Sequence, residues 1–409
     1  MLRCYSTIRV LIGTLMMLSL PHLVMAQSDL SGHPGNIHFG DLKVHPYLNV
    51  QEEFTDNYFL THRSRKNEWY TTIIPGINLQ LPFKRHKLIL DYHSEIERHN
   101  EYTRFDGTFH DASGLLELKF GRRLGLNIEY QYTKSRTLPD SEDDTVDDYH
   151  YYQGKVEALY QLTNRYKLTV AYLNNIKYFQ DHENREDDFT MNEIPVTLHY
   201  RFLAKTHLLL EYAFSQIDNK DLGDVDTDND NHRIWVGLEW DPDAKITGRI
   251  AGGYITRRYE HEEGGDDEDT FGMEGDLSYL FSKLLTFRLK LERQIIQSEA
   301  TSDQAIYGVH YTHTGGMLSL IYKIPFLTTG LLKSSTSIGG FYYNDDYTRR
   351  GILIEKRDDD RYGGNVGLSF KYRGRIGFTL NYVYTDNDSN IPVETYRENR
   401  VFFQFSIML

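Results

Sequence analysis

The sequence predicts an all-β chain: a transmembrane antiparallel up-and-down β-barrel of about 18 strands (within about 16 to 20), with short periplasmic turns and longer acidic extracellular loops. Three observations predict it. The last residues alternate without a break, Val401, Phe403, Phe405, Ile407 and Leu409 against Arg400, Phe402, Gln404, Ser406 and Met408. The first residues read as a secretory leader. Between them one unit repeats, a strand and then a connection, and the connections are alternately short and long.

Taken in order, the leader comes first. Arg3 and Arg9 give a positive start, Val10 to Leu20 is an apolar run, and Val24-Met25-Ala26 places a small residue before Gln27. This pattern predicts a signal peptide over residues 1–26, cleaved near Ala26-Gln27. The run is shorter than the roughly 20 apolar residues of a spanning helix. Cys4, the only cysteine, precedes the apolar run. It is therefore not a lipoprotein cysteine, and the mature chain holds neither disulfides nor thiolate metal sites. Residues 27–43 are expected to form a short periplasmic segment, too short for a plug domain. The barrel is expected over 44–409.

Composition fits the same class. Mean hydropathy is −0.55, yet the chain carries 31 Tyr and 21 Phe. In a barrel, lipid-facing and water-facing residues alternate and average to a polar sequence. The formal net charge is −14, and removing the leader takes away only positive charge. That balance argues against a nucleic-acid partner.

The strands follow. Successive side chains of a strand point to opposite faces. Leu124, Leu126, Ile128, Tyr130 and Tyr132 alternate with polar or small residues, as do Ile234, Val236, Leu238 and Trp240. Phe287, Leu289 and Leu291 alternate with Arg288, Lys290 and Glu292, and Ile376, Phe378, Leu380, Tyr382 and Tyr384 with Gly377, Thr379, Asn381, Val383 and Thr385. A helical period near 3.6 is missing. Short connections such as Gly121 to Arg123 and Arg373 to Arg375 alternate with acidic ones such as Asp218 to Asn231, Asn344 to Asp360 and Asp386 to Glu394. Aromatics fall at two heights, including Tyr130, Tyr212, Tyr307, Tyr311 and Tyr382 near the long loops, which predicts two interfacial girdles. Gly315-Gly316 suggests a bulge. Pro75-Gly76 suggests a bulge or bend near the barrel seam, because proline removes a ladder donor.

The face opposite the lipid carries both signs of charge. The lumen-facing candidates are Glu117, Lys119, Arg249, Glu274, Asp276, Arg288, Lys290 and Glu292. Glu274 and Asp276 are expected within cross-strand or diagonal reach of Arg288, Lys290 and Glu292 on the next strand, as a small paired cluster or a braced wall. Mixed signs suit a polar solute or a braced wall better than a selective ion channel.

Other chemistry finds little footing. From Asp226 the run Asp224 to Asp230 matches the first acidic positions of an EF-hand loop. Asn231 then stands where the turn needs Gly, and Gly237 where the bidentate Glu belongs. No G-x-S-x-G elbow occurs. His310 and His313 lie three apart, so a strand sends them to opposite faces and they cannot share a metal. No catalytic residue, metal or cofactor is expected.

The first two strands carry a phrase. Pro46-Tyr47-Leu48-Asn49-Val50-Gln51-Glu52-Glu53-Phe54-Thr55-Asp56-Asn57-Tyr58-Phe59-Leu60 is followed by Ile74-Pro75-Gly76-Ile77. It resembles the opening of a family of outer-membrane β-barrel porins found with exopolysaccharide biosynthesis and export systems. The resemblance implies a role in moving or securing a secreted polysaccharide across the outer membrane of a Gram-negative bacterium, and it carries over no binding residues. The expected partners are outer-membrane lipids and lipopolysaccharide, the barrel-assembly machinery through the C-terminal strand, a periplasmic polysaccharide export protein and the glycan itself. The rival expectations are a general or substrate-specific diffusion porin for small solutes and a non-conducting scaffold barrel.

Overall fold

The computed structural model describes residues 37–137, 146–180, 188–220, 227–261, 267–297, 310–348 and 356–409. The expected leader lies outside them. The first strands are β1 (Ile37–Phe39), β2 (Leu42–Thr55), β3 (Glu68–Phe83), β4 (His86–His99), β5 (Gly107–Phe120) and β6 (Leu124–Arg136). Next come β7 (Asp148–Gln161), β8 (Tyr166–Phe179), β9 (Phe189–Leu203), β10 (Thr206–Asn219), β11 (Asn229–Trp240), β12 (Ile246–Tyr259) and β13 (Glu268–Leu280). The last are β14 (Leu285–Gln297), β15 (His310–Lys323), β16 (Leu332–Tyr347), β17 (Asp358–Tyr372), β18 (Ile376–Ser389) and β19 (Tyr396–Met408).

β2 to β19 form a closed antiparallel barrel of 18 strands, each paired with the next in chain order. Closure comes from β19 against β2, in register from Arg400↔Thr55 to Met408↔Tyr47. Closure removes both sheet edges, which lipid does not tolerate because unpaired backbone groups find no water there. β2 starts at Leu42, just before the expected position 44. β1 pairs with β2 beyond the point where β19 ends, from Ile37↔Val44 to Phe39↔Leu42.

The period-2 pattern sets the faces. On β18 Phe378, Leu380 and Tyr382 are exposed, whereas Asn381, Val383 and Thr385 between them are buried. Two aromatic girdles follow. Near the long loops, exposed Trp69, Tyr92, Tyr130, Tyr212, Tyr254 and Tyr382 face outward; near the short turns, Phe83, Phe120, Tyr160, Phe202, Tyr279 and Tyr372 do so. Outer-girdle hydroxyls bond polar groups on the next strand. Tyr382 donates to Asn399 Oδ1 at 2.7 Å, and Tyr212 pairs with His232 Nδ1 at 2.9 Å. Tyr311 does not belong to the girdle: it is buried, stacked on Tyr347 across β15 and β16. Tyr307 lies outside the described residues.

The structure corrects three further local expectations. First, strands run on into segments read as acidic loops. Asp345 and Asp346 end β16, Asp358 to Asp360 open β17, and Asp386 and Asp388 lie in β18. Arginines nearby offset the acids: Arg397 on β19 meets Asp386 at 2.8 Å, and Arg357, just before β17, meets Asp359 at 2.7 Å. Second, Gly315-Gly316 makes no bulge, since β15 keeps one register with β14 and β16. Gly315 instead leaves room for Tyr343: a Cβ there would strike the Tyr343 ring and the Tyr342 carbonyl. Third, Pro75 breaks the β3–β4 ladder without shifting its register, which reads Ile73↔Ile96 and resumes at Gly76↔His93. The Tyr47 ring lies over Gly76, where a Cβ would collide with it, and its hydroxyl reaches Asp91 Oδ1 at 3.0 Å. The Pro-Gly pair thus makes a place for Tyr47.

Candidate functional site

The site is the lumen, built from the inward residue of each strand pair. Its outer and inner halves differ. In the outer half the connections after β2 and β4 pack against the ends of β3, β4 and β6. Phe59 and Phe105 are 2% and 1% exposed, packed with Tyr58 and Tyr102, whose rings stack 5.8 Å apart. Glu68 fixes these segments: its carboxylate accepts the backbone N–H of Asn100 at 2.8 Å, Glu101 at 3.2 Å and Tyr102 at 3.2 Å. Arg136 braces them with an ion pair to Glu97 at 2.7 Å and a bond to the Phe105 carbonyl. Charged acceptors of this kind hold loops more firmly than neutral ones.

The opposite wall is tied in the same way. His310 to His313 are four consecutive buried residues, so both faces of that stretch of β15 are covered. His310 pairs with Glu268 at 2.5 Å and with the Tyr259 hydroxyl at 2.8 Å, whereas His313 pairs with Asp345. The two histidines thus serve different partners. Near the seam, Arg400 lies 3.5 Å from Glu53. Asp224 to Asp226 of the acidic run lie outside the described residues. Asp228 accepts the Asn219 backbone N–H at 2.6 Å and so caps a strand end.

At mid-lumen five charges of alternating sign link five strands. Glu193 meets Arg233 at 2.8 Å, Arg233 meets Glu211 at 3.2 Å, Glu211 meets Arg249 at 3.0 Å, and Arg249 meets Glu274 at 2.6 Å. The Arg233 guanidinium also sits 4.6 Å above the Trp235 ring. Glu211 is buried between two arginines, which compensates the cost of taking a carboxylate out of water.

The inner half is looser. Register places Arg201, His207, Glu239, Arg249, Asp276 and Lys290 directly opposite one another across β9 to β14, one residue per strand. Directly opposite Cβ atoms are about 4.5–5.5 Å apart, so this is a continuous rung. Glu239 is held by His199 at 2.8 Å, and His207 reaches Asp241 at 3.2 Å. Arg201 and Arg288 make no ion pair among the described residues. Above the turns lies a cavity of about 620 Å³ lined by Lys167, Arg201, His207, Glu239, Asp241, Arg249 and Asp276, with Gln161, Thr247 and Ser278 as neutral polar groups.

All eight sequence candidates lie on the inward face by register, and Asp276 stands directly opposite Lys290, with Arg288 and Glu292 on its diagonals. Arg288 stands opposite Ser278 rather than an acid, and Glu274 stands opposite Glu292. Glu274 finds its cation on the preceding strand, Arg249. The Lys290 ammonium lies 3.6 Å from Glu292. Glu117, opposite Lys87, and Lys119, opposite Gly125, sit on another part of the wall. Glu211, Arg233, His207 and Glu239 were not singled out from the sequence. Alternation alone puts them inward, but only the register between strands brings them together.

The family described as "Putative beta-barrel porin 2" matches residues 33–407. No curated protein matches the chain. Among solved structures, the outer membrane protein OpdK of Pseudomonas aeruginosa is 13% identical over 90% of this chain and 99% of its own, with a TM-score of 0.48. A BenF-like porin from Pseudomonas fluorescens Pf-5 is 10% identical over 90% and 99%, with a TM-score of 0.48. A bacterial polysaccharide outer membrane secretin is 9% identical over 89% and 97%, with a TM-score of 0.42.

Proposed function

The chain belongs to the "Putative beta-barrel porin 2" family of outer-membrane barrels, and from that premise we propose that it passes an exopolysaccharide from the periplasm through its lumen. The observation that carries this reading is the asymmetry of the lumen. Its inner half holds a polar cavity beside Arg201, which makes no ion pair among the described residues, and in its outer half the segments after β2 and β4 pack aromatics and ion pairs against the wall. A solute arriving from the periplasm meets the cavity first and the braced segments second. The opening phrase at Pro46 to Leu60, with Pro75-Gly76, supports the same reading through its resemblance to porins of exopolysaccharide systems.

Passage is passive at this protein, because the sequence carries no phosphate-binding loop and the outer membrane offers no nucleotide. The chain acts as a conduit and not as an enzyme. It reaches the membrane after cleavage near Ala26-Gln27, with β19 as the strand read by the barrel-assembly machinery, lipopolysaccharide around the outer girdle, and a periplasmic polysaccharide export protein against the short turns. The mid-lumen ion pairs favour one rival, a substrate-specific porin for small solutes, since they set charged groups along the path. Deletion with measurement of surface-associated polysaccharide separates the two. Export predicts loss of surface polysaccharide, restored by the intact gene; an unchanged level with slower uptake of small solutes would contradict it.

A further inference from the structure

Resting on that reading, we propose that the inner cavity is a loading site for a carboxylate-bearing sugar, a uronate unit of the transported glycan. Its volume, about 620 Å³, falls within the ~300–1,000 Å³ of ordinary small-ligand clefts. Its lining carries three cations, Lys167, Arg201 and Arg249, and three acids, Glu239, Asp241 and Asp276. Two of the acids are engaged from within, Glu239 by His199 at 2.8 Å and Asp241 by His207 at 3.2 Å, while Asp276 stands in register opposite Arg249 and Lys290. Arg201 is the uncommitted member. It lines the cavity, lies opposite His207, and has no ion pair among the described residues. Lys167 approaches only Glu239, at 3.8 Å.

A guanidinium with no acid of its own offers two parallel donors to a planar carboxylate. Lys167 adds a point charge from β8. His207 provides an independent pointer. It is more than nine-tenths buried, lines the cavity, and leaves Nδ1 without a hydrogen-bond partner while Nε2 meets Asp241. A buried ring nitrogen in that state is costly unless something fills the cavity and bonds to it. Gln161, Thr247 and Ser278 supply neutral donors and acceptors of the kind that sugar hydroxyls require, on the β7, β12 and β13 sides. The arrangement therefore discriminates by charge through Arg201 and Lys167, and recognises hydroxyls through the remainder of the lining.

The test uses the purified full barrel in detergent, with D-glucuronate and D-glucose as probes. Trp240 lines the cavity and is one of only three tryptophans, so its fluorescence reports occupancy alongside calorimetry. The expected result is glucuronate binding at least tenfold tighter than glucose. Arg201→Gln should abolish that preference, and Arg201→Lys should keep part of it. Heat-modifiable gel mobility establishes that each variant is folded; where Arg201→Gln fails that check, Lys167→Gln is read in its place, with the same expected loss. Equal binding of the two sugars, or an unchanged preference in the folded variants, overturns the proposal. Because binding is read without flux, a barrel that prefers glucuronate while its deletion leaves surface polysaccharide unchanged would sink the export reading and leave the site standing.

Discussion

In the outer half of the lumen Arg357, Arg361 and Arg400 each meet a carboxylate, at 2.7, 3.7 and 3.5 Å; in the inner half Arg201 and Arg288 meet none among the described residues. The residue type is the same and the wall is the same continuous sheet. What differs is the density of partners that the connections bring in. At the outer end the segments after β2 and β4 pack against the wall, and the strand ends carry acids, so Arg136, Arg357 and Arg361 find anions. At the inner end the turns are short, and Arg201 stays exposed beside the cavity. Buried, paired charges brace a structure, whereas hydrated ones remain available to a solute.

The largest expected effect tests the braced part. Glu211→Ala leaves the Arg233 and Arg249 guanidinia short of a shared anion in a buried setting, and should lower unfolding free energy by about 3–5 kcal/mol. Arg201→Ser in the open part should change it by less than about 0.5 kcal/mol. Urea unfolding of the reconstituted barrel gives both values. Equal losses would mean that the halves do not differ in this way.

Next in size is Glu68→Gln, which keeps the shape and removes the charge that three loop amides share. Hydrogen bonds to charged groups contribute about 1.5–3 kcal/mol. The loosened segment at 100–106 should become open to protease from outside the cell, and single-channel conductance should rise. Unchanged conductance would show that this cap does not limit flow.

Smallest in stability is the double change Arg288→Ser with Lys290→Ser. Both residues face the wet inner lumen, so folding should hold and the urea midpoint should barely move. Ion selectivity, read as a reversal potential across a salt gradient, should shift toward cations. A folded variant with unchanged selectivity would reduce the pair to wall.

Much of this was legible beforehand, for a simple reason. Alternation is local, so Leu380 outward and Thr379 inward could be read from neighbours in the chain, as could the closing strand at Val401 to Leu409. Lumen pairing is not local. Nothing in the sequence near Glu239 announces His199, forty residues earlier, because a partner is set by register between strands. The same limit hid the cation of Glu274, which is Arg249 on the preceding strand. Acid-rich strand ends were misread for another reason. Asp386 and Asp388 look like loop residues by composition, yet β18 continues through them, because Arg397 offsets Asp386 on the neighbouring strand. Tyr311 was assigned to the girdle on type and height, and is buried because β15 is covered on both faces there.

The most direct test of the lumen's asymmetry is access from each side. The chain's only cysteine is Cys4, within the expected leader, so single cysteines can be placed cleanly. Ser278→Cys lies in the inner cavity, and Asn381→Cys at a buried position on the inward face of β18. A bulky, membrane-impermeant maleimide should label Ser278→Cys from the periplasmic side of permeabilised cells and leave it untouched from outside intact cells, with Asn381→Cys resistant from both. Equal labelling of Ser278→Cys from outside would contradict a lumen that is open inward and held shut outward.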